Sequence, residues 1–386
     1  MSDEKKSEGT EVLTEGVVTK YMSAAQIANN VLKEVIAKVQ PGVTAGELAT
    51  FGDDRLLELS SKAFKKDKET EKGIAMPTCI SVNNIVCHFS PLRSETDITI
   101  ADGDVVKIDL GAHIDGYIAS VAHTVVVGAS PTNKVTGAKA NVVLAAHYAL
   151  EATLRQLFPH KGLKNTDLTG NITRICKVFE TTPIENMLSH QIGQFDLGAG
   201  KEIIQNPTDE QAGKIEKVGF EENEVYIIDL LISTGTGKAK AGDYRTTVYK
   251  KAENLVYQLK MKNARTFFSE AQKKYGGMPF SIRGFENEVQ AKVGVVECER
   301  HGLLQPYPVY YEKEGEIVAQ FKTTALITST GILKITGVPL DLSLFESTHT
   351  LDKPTQTLIN ESLKLKKKKL AEKKDEGKKA EVETKA

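Results

Sequence analysis

Residues 23–40, SAAQIANNVLKEVIAKVQ, place Ile27, Val31, Val35 and Val39 four apart, the spacing of one buried helical face. Ser23 and Gln26 have capping-box spacing, and Pro41-Gly42 ends the segment. A second helix is expected from about Ala138 (AKANVVLAAHYALEATLRQLFPHKG), closed by Pro159 and Gly162. Each helix is followed by an acid-Leu pair that starts another, Glu47-Leu48 and Asp167-Leu168, and the two leucines lie 120 residues apart. The offset recurs in two apolar strands, GDVVKIDL (103–110) and NEVYIIDL (223–230), which bring Asp109 and Asp229 to equivalent ends. Two landmarks at one offset predict two related α/β halves.

An acid that closes an apolar strand needs a partner. Two such acids on equivalent rigid strands would face each other across a pseudo-twofold axis, and a pair of hard cations would suit them. Loop capping or pairing with a basic side chain satisfies the same pattern, and the repeat alone does not choose.

Composition narrows the classes. The 386 residues fill two domain-sized cores or one large two-lobed core, with 40% hydrophobic and 26% charged residues, ordinary globular values. No run approaches the roughly 20 apolar residues of a membrane span, and MSDEKKSEGTE is unlike a secretory signal. Cys79, Cys87, Cys176 and Cys298 are scattered without a C-x-x-C pair and read as reduced core fillers. The net charge of -1 hides a polarity: residues 361–386 hold 10 Lys and 6 acids, a net of +4, so the other 360 residues sum to -5. STGTGKAKAG lacks the first glycine of a phosphate loop and has Ala239 where a hydroxyl must follow Lys238, so it is read as an ordinary loop.

Five ordered segments, CISVNNIVCHFSP (79–91), DVVKIDLGAHIDGYIASVAHT (104–124), MLSHQIGQF (187–195), EVYIIDLLISTGTGK (224–238) and AQFKTT (319–324), resemble the methionine aminopeptidase superfamily. The resemblance spans about residues 17–345. It implies an α+β pita-bread fold of two pseudo-symmetric halves, and the insert near 250–300 (KKAENLVYQLKMKNARTFFSEAQKKYGG), read as mainly helical, resembles the type 2 branch. Residues 1–16 are expected as a flexible arm, 17–350 as the pita-bread domain and 351–386 as a disordered lysine-rich tail.

Active relatives bind two divalent ions through two Asp, one His and two Glu, helped by two more His. On that resemblance Asp109 and His190 match ligands, the second Asp position is Ser120, the first Glu is Asp229 and the last Glu is Lys322. Of the helpers His88 remains, while Gly198 stands at the second position of the former substrate pocket. His113, His123, His147, His160, His301 and His349 show no ligand spacing. An ammonium about 4 Å from a divalent ion costs about 8 kcal/mol at an effective dielectric near 20, comparable to many metal-binding free energies. The residues therefore imply no cofactor and no catalysis. They also predict that Lys322 pairs with both Asp109 and Asp229; its alternative is to snorkel to solvent.

This combination is similar to the non-peptidase proliferation-associated, ErbB-receptor-binding branch, and to a fungal member described as a curved-DNA-binding protein. The resemblance implies binding to curved DNA or ribosomal RNA, association with the large ribosomal subunit or its precursors, and residence in nucleus, nucleolus and cytoplasm. The sequence itself offers a basic run, Lys364, Lys366, Lys367, Lys368, Lys369, Lys373 and Lys374, within a stretch of net +6 from Lys364 to Lys379. Lysines without Arg, Asn or aromatic companions contact phosphates and read no base edges. Lys250, Lys251, Lys260, Lys262, Arg265, Lys273 and Lys274 form a reserve patch in the insert. Two alternatives stand beside this reading: a residual metal-dependent aminopeptidase, and a scaffold that binds other proteins through the old cleft.

Overall fold

Long β-branched runs fold as strands, and the striped segments cover them as helices. The computed structural model describes residues 11–95, 97–253 and 255–365. The first half contains α1 (Glu15–Ile36), α2 (Ala45–Lys62), β1 (Lys72–Val82), β2 (Ile85–Cys87), β3 (Val105–Ile114) and β4 (Tyr117–Val126). The second contains α3 (Gly137–Gln156), α4 (Asn165–Val178), β5 (Thr182–Pro183), β6 (Leu188–Ile192), β7 (Glu202–Ile204), α5 (Asp209–Ala212), β8 (Val225–Ser233) and β9 (Lys240–Ala241). An insert follows as β10 (Val248–Lys251), α6 (Lys262–Tyr275), β11 (Phe280–Ser281), α7 (Glu288–Arg300) and β12 (Leu304–Tyr307). The chain closes with β13 (Tyr310–Tyr311), β14 (Val318–Thr328), β15 (Gly331–Lys334) and α8 (Lys353–Ile359).

The central sheet runs β1-β3-β4-β14-β8-β6-β7, all antiparallel, with β3 and β8 placed alike on either side of the central pair β4/β14. Helices α1 and α2 pack on the first half and α3 and α4 on the second, each over its own apolar core. The helix starts repeat as well: Glu47 accepts from the Thr44 amide at 2.9 Å, and Asp167 from the Lys164 amide at 2.8 Å. The two-half architecture read from the 120-residue offset is therefore present.

The seam between the halves is unusual. Between β4 and β14 the ladder pairs Lys322 with Ala122. On one side of that pair the Thr124 hydroxyl donates to the Gln320 carbonyl at 2.7 Å and accepts from its amide at 2.8 Å. On the other side Thr324 does the same to Ser120, at 3.0 and 2.9 Å. Two buried threonines thus bind the halves by one contact used twice.

Three boundaries differ from the sequence reading. The first helix is Glu15–Ile36, capped by Thr14, because Tyr21 joins the buried face; the Ser23 hydroxyl turns back to the Thr19 carbonyl instead of capping. Residues 11–14 are anchored, with Glu11 accepting from the Tyr117 hydroxyl at 2.6 Å and the Leu13 amide donating to Asn223. The folded body runs beyond 350: Leu351 is buried in the second core, Leu363 and Leu365 pack against it, and both bond the backbone of residues 330–332. At this end of the chain, residues 366–386 lie outside the described residues. The insert is mainly helical, through α6 and α7, and adds a small sheet in which β10 pairs with β11 and β12 beside a core of its own. All four cysteines are buried and unpaired, as core fillers should be.

Candidate functional site

One row of the sheet carries the site. Reading across five strands, Cys79 opposes Asp109, Asp109 opposes Ala122, Ala122 opposes Lys322, and Lys322 opposes Asp229. Residues directly opposite in an antiparallel ladder share a face. Ala122 offers only a methyl group between Asp109 and Lys322, so the lysine side chain passes over it. The ammonium ends 2.6 Å from Asp109 Oδ2 and 3.0 Å from Asp229 Oδ2. The pairing expected from the sequence is formed and buried: Lys322 is 9% exposed and Asp109 3%. The snorkelling alternative is excluded.

Two carboxylates share one ammonium, and the electrostatics show the surplus. Burial pushes the Asp109 carboxyl up to about 6, against the pull of Lys322. Burial acts to lower Lys322, but the two acids outweigh it and hold the ammonium above the ordinary lysine range. Gln320, two residues before Lys322 and on its face, donates from Nε2 to Asp229 Oδ1 at 2.9 Å. Asp109 Oδ1 is buried and accepts no hydrogen bond among the described residues. Lys107, also on this face of β3, is buried with its amine on the Asn83 carbonyl at 2.9 Å, and burial draws it down to about 7.

The remaining sequence candidates divide. His190 pairs in register with Ile227, which puts it on the face that carries Asp229; burial lowers its pKa, and Nδ1 is buried without a partner among the described residues. Ser120 shares the Asp109–Lys322 face of β4 and packs against Gly111, where a Cβ would lie 2.8 Å from the Ser120 hydroxyl. His88, at φ 66°, donates from Nδ1 to the Pro308 carbonyl at 2.9 Å and stands edge-on to Tyr307. That bond leaves Nε2 as an acceptor, and burial drops the imidazole to about 4. Gly198 is not grouped with His88. It sits on an exposed turn, donating to Asp196 at 2.7 Å, and lines a separate 850 Å³ cavity with Tyr21 and Gln191. Among the described residues, no group of three or more His, Cys, Asp or Glu converges as metal ligands would.

Sequence reasoning missed Gln320, Thr124, Thr324 and Lys107. Gln320 and Thr324 fall inside AQFKTT, but their roles depend on which neighbouring strand they meet.

Of the basic candidates, Lys364 is exposed where its strand bridges Gly331. Lys366, Lys367, Lys368, Lys369, Lys373 and Lys374 lie outside the described residues. In the insert, Lys260, Lys262 and Lys273 are exposed. Arg265 is spent on the carbonyls of Leu259 and Lys260, and Lys274 on that of Gly284, so both brace the insert. Lys250 pairs with Glu253 at 2.8 Å, and the Lys251 ammonium stands 6.0 Å from the Phe268 ring centre. No helix among the described residues is long and apolar enough to cross a membrane.

The sequence profile of metallopeptidase family M24 matches residues 19–246. An Arabidopsis thaliana protein named ErbB-3 binding protein 1 is 42% identical over 387 aligned residues, covering 98% of this chain and 94% of its own. A Schizosaccharomyces pombe protein named curved DNA-binding protein is 40% identical, with 82% of each chain covered. Among solved structures, a thermophilic Arx1 superimposes with a TM-score of 0.84 at 31% identity, covering 92% of this chain and all of that one.

Proposed function

Because this chain belongs to metallopeptidase family M24, with the methionine aminopeptidase-like fold, we propose that it is a member without peptidase chemistry that works by binding nucleic acid. The observation that carries the reading is the Lys322 ammonium, 2.6 and 3.0 Å from the two carboxylates that would have to hold the family's metal ions. The residues present do not fit those ions. A cation already occupies the centre of the donor set, and Ser120 supplies a hydroxyl where a bridging carboxylate would be needed. Asp109, Ser120, His190, Asp229 and Lys322 are then former ligand positions converted to a structural cluster.

The ligand we propose is curved DNA or structured RNA, held by phosphate contacts from Lys364 and the lysines that follow it. Exposed Lys260, Lys262 and Lys273 make a second basic face. Support comes from the charge polarity of the sequence and from the name of the fission-yeast relative. Association with large ribosomal subunits or their precursors, and residence in nucleus, nucleolus and cytoplasm, complete the reading on the resemblance of the branch.

Release of methionine from a Met-peptide, with cobalt or manganese added and metal content measured in parallel, tests the first half. No release and no stoichiometric metal is the expected result, and metal-dependent turnover overturns it. Crosslinking in cells followed by sequencing of the attached nucleic acid tests the second. Reads concentrated on one surface of large-subunit ribosomal RNA, or on intrinsically bent DNA, support it; no enrichment over background overturns it.

A further inference from the structure

Two adjoining cavities, of 890 and 530 Å³, share Pro91 and Glu95, and neither is lined by Asp109, Asp229 or Lys322. The larger is floored by aromatic rings: Phe89 and Tyr244 have centroids 4.8 Å apart, and Tyr244 stacks on Tyr311 at 5.9 Å with 16° between planes. In the smaller cavity the Phe51 ring already faces a cation, with Lys38 Nζ 4.5 Å from its centre.

The lining is acidic. Glu47, Asp54, Glu95, Asp97 and Asp243 stand against Arg93 and Arg245, five carboxylates to two guanidiniums, a net of -3. Glu47 and Asp97 are spent on the start of α2, and Glu95 pairs with Arg245 at 2.6 Å. Asp54 and Asp243, one in each cavity, are exposed and form no ion pair among the described residues.

Aromatic faces beside unpaired carboxylates recognise cations by ring quadrupole and charge together. The same carboxylates repel phosphates, so a nucleic acid does not belong here. The combined volume exceeds what one side chain fills, and ligand pockets of a few hundred Å³ already hold a drug-sized molecule. We propose that this groove docks an extended lysine- or arginine-rich segment of a partner protein. Its basic side chains would lie over Phe89, Tyr244 and Tyr311 and be held by Asp54 and Asp243. The proposal does not depend on the nucleic-acid reading.

Fluorescein-labelled octalysine, titrated into the full chain and followed by anisotropy, tests it, with octaglutamate as the control. Saturable binding of octalysine alone is expected, and D54K/D243K should weaken it by about tenfold. The melting temperature should hold, since neither side chain is bonded among the described residues. D54N/D243N, which only removes charge, should give a smaller loss in the same direction. Carbodiimide crosslinks from octalysine should land on Asp54, Glu95 or Asp243. Equal affinity of wild type and D54K/D243K overturns the proposal. Crosslinks from the chain's own 366–385 lysines to those acids make the tail the occupant and overturn it too. A change in molar mass of D54K/D243K by light scattering points to a second copy and does the same.

Discussion

Lys322 Nζ lies 2.6 Å from Asp109 Oδ2 although a whole strand, β4, runs between the strands that carry them. The contact closes because Ala122 is the intervening residue. It joins the two halves of the fold and leaves two carboxylates dependent on one lysine.

Lys322→Ala removes the shared cation and strands two acids inside the sheet. A loss of about 3–5 kcal/mol is expected, as for other buried pairs broken on one side. Calorimetry reads it directly. An unchanged melting temperature means the cluster carries no structural weight. Asp109→Asn combined with Lys322→Ala should recover part of the loss, because the acid that was stranded is then gone.

If the ammonium has replaced metal, chelation has nothing to remove. EDTA, or added cobalt or manganese, should leave the melting temperature where it was, since a ligand stabilises only by binding the native state more tightly. A rise of several degrees on adding either metal contradicts the proposed loss of the ligand set.

The seam threonines give a local prediction. Thr324→Val keeps shape and removes the hydroxyl that accepts from the Ser120 amide, with an expected cost of about 1–3 kcal/mol. The Ser120 carbonyl retains Thr336 at 2.7 Å, so the amide is the group exposed to loss. Hydrogen exchange at Ser120 should accelerate in the variant. Thr124→Val should do the same at Gln320, whose amide the Thr124 hydroxyl accepts from.

Burial makes the fold acid-sensitive. His88, His113, His123 and His147 are each held down to about 4, in every case chiefly by desolvation. The unfolded chain takes up these protons near pH 6.5, while the folded chain refuses them until about pH 4. Their contribution is therefore complete above pH 6.5 and lost as pH falls through 4, at about 3 kcal/mol for each fully realised shift. Asp109, raised to about 6, acts in the opposite sense: its contribution is full below about pH 4 and fades as pH rises through 6. Four imidazoles outweigh one carboxyl, so urea midpoints should fall steadily from pH 7 to pH 4. A flat profile contradicts the burial of the histidines.

Removal of the lysine tail should be made after Leu365, because Leu363 and Leu365 bond the backbone beside β15. If the tail makes about five phosphate contacts, the slope of log K against log salt should be near -4.5 in the full chain and much flatter without residues 366–386. An unchanged slope transfers the binding surface to the body, with Lys260, Lys262 and Lys273 the first lysines to neutralise.

The sequence by itself settled a good deal. The 120-residue offset located the two halves and the equivalent strands, because a repeated fold repeats its strand-ending acids and helix starts. The resemblance brought Lys322 to the site of Asp109 and Asp229, and the charge types then implied an ion cluster, since buried like charges need a counter-ion. What the sequence could not supply was registration across strands. Gln320 and Thr324 look like ordinary strand residues until β14 is laid against β4 and β8; only then does one meet Asp229 and the other Ser120. The same holds for Arg265 and Lys274, read as a basic surface but consumed by carbonyls that folding brings near. The ends of the body also moved, because Tyr21 is buried and Leu365 half-buried by residues far away along the chain. Local pattern fixes which elements form and which charges must be matched. The partner of each polar atom is a long-range fact, decided when the strands pair.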